Sequence, residues 1–223
     1  MKNQAFLLKF SVFSFVIVAI LGVLMRYKIA FSLPFVEQKH LQEAHSHFAF
    51  YGFITSCIYI LVAQYLSKTV IGIQMKKYQI LIGINFFASY GMLLSFLYAG
   101  YFWLSIIFST IALLNSFVYY FFLYRDLKNH GETSKIWFLA AFFFAVLSSL
   151  GVFTLSYMMA SKNVVQELYL ASTYFYLHFQ YNGWFWFAIV GLFMSIISEN
   201  ITIQTFNQKA FRLFFWSCIP AYF

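Results

Sequence analysis

The sequence predicts an all-α fold, a polytopic bundle of transmembrane helices. Three observations carry that prediction. The 223 residues are 63% hydrophobic. Only 9% are charged, where a soluble domain carries about 25%. The apolar residues fall into runs of about 20, the length that crosses a ~30 Å hydrocarbon core as a helix. Backbone polar groups in hydrocarbon must pair within their own segment, so such runs are helices.

The first span is expected at about 7–25, between Lys2/Lys9 and Arg26/Lys28. It reads as an anchored helix, because its exit, Met25-Arg26-Tyr27-Lys28, offers no small-residue cleavage site. A polar stretch with Pro34, Glu37, Lys39, His40 and Glu43 follows, then a second span at about 45–66. Residues 78–124 contain no charged side chain. As one helix they would reach about 70 Å, so they are read as two spans, 78–98 and 102–124, turning near Ala99-Gly100-Tyr101. A charged loop leads to span five, about 136–160. The less apolar segment 161–176 leads into span six, about 176–197. The stretch 211–223 is too short to cross and is read as a partial seventh span of a larger bundle. The whole of 1–223 is taken as one transmembrane domain, with no internal repeat legible in the linear pattern.

Net charge and cysteine usage exclude several classes. The formal charge of +8 comes from Lys and Arg at helix ends, which form no groove or tail for nucleic acid. Cys57 and Cys218 both lie in apolar stretches, so no disulfide framework or CxxC site is available. The aromatic content of 24% suits lipid-facing bulk and interface belts. With the N-terminus cytoplasmic, ten Lys/Arg fall on inner segments and four on outer ones. That bias predicts this orientation. It places His45, His47 and His178 at the outer ends of spans two and six, and His130 on a cytoplasmic loop.

Ionisable residues at the edge of an apolar helix are costly and point to function. His45 and His47 lie about 200° apart on a helix. The face of His45 continues through Ala49, Gly52, Ser56, Tyr59 and Ala63 and is mostly small, which permits close approach of a helix or flat ligand. The face of His47 (Tyr51, Ile54, Ile58, Val62) is bulkier, and the Glu43 carboxylate one turn earlier is a candidate partner for its ring. His45 is therefore the first-choice ligand. Around His178 lie Tyr174, Tyr181, Asn182 and Trp184. Tyr174 or Asn182 is the candidate to fix its tautomer, as a ligating imidazole requires. Phe48, Tyr181 and Trp184 are candidates for an aromatic wall. A hydrolytic zinc site would need further ligands and a general base, and the one aspartate, Asp126, lies on the opposite side. Heme needs one or two axial imidazoles and an apolar, aromatic slot, so His45 or His47 with His178 suits it better.

The segment His45-Ser46-His47, four residues, then Gly52-Phe53 resembles the H-x-H-x-x-x-x-G-F segment of the NnrS family. These polytopic heme- and copper-containing membrane proteins are linked to nitric oxide stress and held to be distant kin of heme-copper oxidase subunit I. Phe48 stands where that family has an acidic residue, and the match covers about ten residues. The resemblance implies His45 and His47 as heme or metal ligands, copper as a further cofactor, a bacterial inner-membrane location, and a membrane or periplasmic redox partner. His178 comes from the residue reading alone. The expected function is electron transfer or nitric oxide/oxygen chemistry, with oxidoreductase activity left open. The alternatives are a transporter or channel, and a noncatalytic subunit of a larger membrane complex. The absence of any Asp, Glu, Lys or Arg in mid-span, where Asn85 and Asn115 are the most polar groups, argues against a carboxylate-based carrier.

Overall fold

The computed structural model describes residues 2–128, 134–197 and 201–222. Among these there are helices and connecting turns and no strand. Six helical stretches are long and apolar enough to cross a membrane: Gln4–Ala30, Gln38–Thr69, Met75–Ala99, Trp103–Leu127, Lys135–Ser161 and Gln166–Ile197. The chain is thus an integral membrane protein of helical-bundle class. Spans two and six begin earlier than hydropathy suggested, at residues 38 and 166 instead of 45 and 176. The extra turns carry the polar residues that depressed the local hydropathy.

The chain divides into two compact units, Met1–Leu123 and Tyr124–Phe223. In the first, α1 (Lys2–Ala30) precedes a span broken into α2 (Gln38–His47), a π-helical turn (Phe48–Thr55) and α3 (Ser56–Thr69). Then come α4 (Met75–Ala99) and α5 (Trp103–Leu127), whose last turn passes into the second unit. The broken span is the centre of this unit. Its most apolar window is 61% buried, against 22% for α1 and 33% for α5, which present most of their surface outward.

The π-turn alters the backbone ladder, and side chains from both neighbours meet its carbonyls. Ser11 of α1 donates to the Phe53 carbonyl at 3.2 Å. Asn85 of α4, fully buried, donates to the Tyr51 carbonyl at 2.9 Å and to Ser56 Oγ at 2.8 Å. Ser56 in turn donates to the Tyr51 carbonyl, five residues back, at 2.9 Å. Without water in the bilayer these donors are what make such a turn tolerable. Nearer the other end, the buried rings of Tyr59 and Tyr119 stack with centroids 3.8 Å apart, and the Tyr119 hydroxyl donates to the Tyr59 carbonyl at 2.8 Å. The expected turn between spans three and four is present. Gly100 ends α4 with φ 60° and ψ −137°, a conformation reserved for glycine. Ser105 accepts from Phe102 N–H at 2.9 Å at the start of α5, the returning half of a capping box.

The second unit contains α6 (Lys135–Ser161), then α7 (Gln166–His178), a π-helical turn (Phe179–Phe185) and α8 (Trp186–Ile197), then α9 (Ile201–Cys218) and a 3₁₀ turn, Pro220–Tyr222. The expected partial span at 211–223 is the latter half of α9 with that turn. Phe144 of α6 stacks on Phe179 at 5.7 Å, and Ser148 donates to Gln180 Oε1 at 3.1 Å. Trp137 of α6 donates to Asn207 Oδ1 of α9 at 2.6 Å, tying the first and last helices of the unit.

Candidate functional site

His45 and His47 belong to the first unit and His178 to the second. Each sits at, or two residues before, the junction between an α-helix and a π-turn. π-turns recur at functional positions because they redirect side chains.

His45 lies on α2 against α1. Its Nδ1 is 3.1 Å from the Val18 carbonyl. A carbonyl only accepts, so Nδ1 carries the proton and Nε2 presents its lone pair. Nε2 makes no hydrogen bond among the described residues. Gly22 makes the close approach feasible, since a Cβ there would lie 3.3 Å from His45 Cε1. The result is a half-buried imidazole with a fixed tautomer and an open nitrogen. A ligating histidine commonly donates its other ring N–H to a backbone carbonyl in this way, which fixes the ring's orientation.

His47 is occupied at both nitrogens. Nδ1–H donates to the Glu43 backbone carbonyl at 2.9 Å, and Nε2 accepts from the Tyr101 hydroxyl at 3.1 Å. Its ring stacks on Phe96, with centroids 4.3 Å apart. The expected carboxylate partner is thus replaced by the carbonyl of the same residue. The Glu43 Oε2 atom is enclosed and accepts no hydrogen bond among the described residues. At the same end, His40 Nε2 is 3.2 Å from Glu37 Oε2.

His178 is likewise engaged on both sides. Nε2–H donates to the Cys218 carbonyl at 2.8 Å, and Nδ1 accepts from Asn182 Nδ2 at 3.2 Å. Of the two residues considered for tautomer control, Asn182 makes the contact. Tyr174 is 65% exposed and Tyr181 48% exposed, so both face outward. Trp184 is buried, 5.8 Å from the Phe142 ring. Phe48 is buried with its edge on Tyr90 at 4.9 Å. The proposed aromatic wall therefore consists of core residues, Phe48 and Trp184, in separate units, and an outward Tyr181.

No group of three or more His, Cys, Asp or Glu side chains suited to a metal ion occurs among the described residues. A multi-histidine copper centre or a zinc site is not assembled by them, whereas a single imidazole suffices for axial ligation of heme. His130 lies outside the described residues.

Sequence reasoning missed Val18, Gly22 and Tyr101 as partners of the histidines. Only Tyr101 had a signal, its place in the predicted turn. Comparison with known proteins adds no candidate: no family model, curated protein or solved structure matches the chain.

Proposed function

We propose that this integral membrane protein holds a heme through His45 Nε2 and works in electron transfer or nitric oxide/oxygen chemistry. The observation that carries the reading is the state of that ring. It is the histidine whose tautomer is fixed for ligation while its second nitrogen stays open. The Val18 carbonyl holds the Nδ1 proton, which fixes the tautomer and orients the ring. Gly22 gives it room. The neighbouring Val18 and Leu21 side chains are buried and apolar, which keeps water from the supporting hydrogen bond. Bound heme would supply a one-electron couple and a site for a diatomic ligand.

His47 and His178 are each engaged at both ring nitrogens, and would have to release Tyr101, or the Cys218 carbonyl or Asn182, before either could ligate. The Lys/Arg bias puts all three rings toward the outer face, with the N-terminus cytoplasmic, where a membrane or periplasmic redox partner would exchange electrons. The test is the visible spectrum of the purified protein, expressed with ample heme, for the wild type and for His45→Ala, His47→Ala and His178→Ala. A Soret band that shifts or vanishes in His45→Ala is expected. Absence of the band in the wild type, or a band indifferent to all three substitutions, overturns the proposal. Substrate-dependent flux in heme-free proteoliposomes would establish the transporter reading instead.

A further inference from the structure

We infer that the chain contains two copies of one three-helix module, α1 with the broken span α2–α3 and α4, and α6 with the broken span α7–α8 and α9, with α5 between them in sequence, and that the imidazole heading each π-turn latches the far end of the module's third helix. The inference stands apart from the heme reading. It begins with geometry the linear pattern concealed. Both broken spans, Gln38–Thr69 and Gln166–Ile197, are 32 residues long. In each, the π-turn starts at the residue after a histidine, His47 or His178.

Aligned on those histidines, the turns share their chemistry. His47-Phe48-Ala49-Phe50-Tyr51-Gly52-Phe53 sets against His178-Phe179-Gln180-Tyr181-Asn182-Gly183-Trp184. Histidine, phenylalanine, an aromatic residue, glycine and a second aromatic residue recur at identical spacing. The helix before each broken span repeats too. Leu21-Gly22-Val23 of α1 matches Leu150-Gly151-Val152 of α6. A Cβ on Gly22 would lie 3.3 Å from the ring of His45, and one on Gly151 would lie 2.6 Å from the Ser172 carbonyl oxygen and 3.0 Å from Cβ of Tyr176. His45 and Tyr176 each stand two residues before the π-turn histidine. So one glycine admits the equivalent residue of the broken span in both units. Chance similarity of two apolar helices would not align a glycine contact, a histidine and a rare helix type together.

The latch follows from what the two histidines touch. One ring nitrogen stays on its own span: His47 Nδ1 on the Glu43 carbonyl, His178 Nδ1 on Asn182. The other reaches the end of the third helix. His47 Nε2 accepts from Tyr101, two residues past the end of α4, and His178 Nε2–H donates to the carbonyl of Cys218, the last residue of α9. Terminal carbonyls and the chain that leaves a helix lack partners of their own. An imidazole there holds the exit in place by one bond and is itself held by the other. His47 and His178 are in this sense positioning residues, which leaves His45 as the ring without a frame role.

Amide hydrogen exchange on the intact chain in nanodiscs tests both parts. His47→Ala should raise exchange about tenfold over residues 99–105, and His178→Ala should do so over 215–222, as expected for loss of one hydrogen bond in a local opening. Each effect should stay within its own module. Glutamine, whose amide carries both a donor and an acceptor, should restore protection at either position, and Tyr101→Phe should reproduce the effect of His47→Ala over 99–105. Unchanged protection at the helix ends in both alanine variants overturns the latch. A uniform rise along all helices, or failure of glutamine to rescue at both sites, does the same. A change in one module but not the other overturns the equivalence of the two copies.

Discussion

Replacing Gly100 by alanine should destabilise the first unit by about 2–4 kcal/mol. The backbone contribution comes from φ 60° and ψ −137°, where a side chain costs on the order of 1–3 kcal/mol. The steric contribution comes from His40. A Cβ on Gly100 would sit 2.5 Å from His40 Cδ2 and 2.8 Å from Nε2. The ring must swing away and give up its 3.2 Å contact with Glu37. That pair adds little, about 0–1 kcal/mol, because Glu37 is 61% exposed. For a chain of this size each kcal/mol lowers Tm by about 2–4 °C, so a fall of about 4–16 °C is expected. Two other glycines give an internal scale. Gly72 also has a positive φ, 76°, but a Cβ there meets nothing within 4 Å, so Gly72→Ala should show the backbone cost alone. Gly83 lies inside α4 with open space around it, and Gly83→Ala should be neutral or stabilising by up to about 1 kcal/mol. Thermal unfolding in detergent, followed by helical circular dichroism, ranks the three. A Gly100→Ala protein as stable as Gly83→Ala would refute the reasoning.

Further outcomes follow from other contacts. Asn85 donates two hydrogen bonds while its Oδ1 atom has no partner, so Asn85→Leu should be tolerated better than Asn85→Asp. The aspartate would turn acceptors toward the Tyr51 carbonyl and should cost more than about 3 kcal/mol, read as loss of folded protein in a detergent melt. Cys218 is buried and should alkylate slowly in the folded protein and rapidly after denaturation; equal rates would contradict its enclosure. Gly22→Val should displace the His45 ring and weaken heme binding about tenfold or more, while Gly22→Ala, which asks for a few tenths of an ångström, should weaken it far less; equal losses in a heme titration would contradict the packing of that ring.

Much of the fold was legible because hydrocarbon imposes one rule on every segment. A charge-free run from 78 to 124 had to turn, and Ala99-Gly100-Tyr101 was the place where it did. The starts of the second and sixth spans were not legible from apolarity. Gln38 to Ala44 and Gln166 to Tyr174 are too polar to score as membrane helix, yet their backbone continues the same helical ladder. The π-turns were hidden for a different reason. Their residues are ordinary helix formers in membranes, and the carbonyls of the first turn are met by donors far away in sequence, Ser11 and Asn85. The candidate histidines were found because imidazoles are rare in so apolar a chain. Their partners were not, because a backbone carbonyl such as that of Val18 or Cys218 leaves no mark in a side-chain pattern. The same blindness made His47 pair with the carboxylate of Glu43 on paper, while the ring bonds its carbonyl.

Titration of the heme-free protein with hemin, comparing His45→Ala with His40→Ala, tests the central claim most directly. One equivalent should bind to the wild type and to His40→Ala with a sharp Soret band, and His45→Ala should lose that band or bind at least tenfold more weakly. Equal binding by both variants, or no saturable binding by the wild type, would contradict the account.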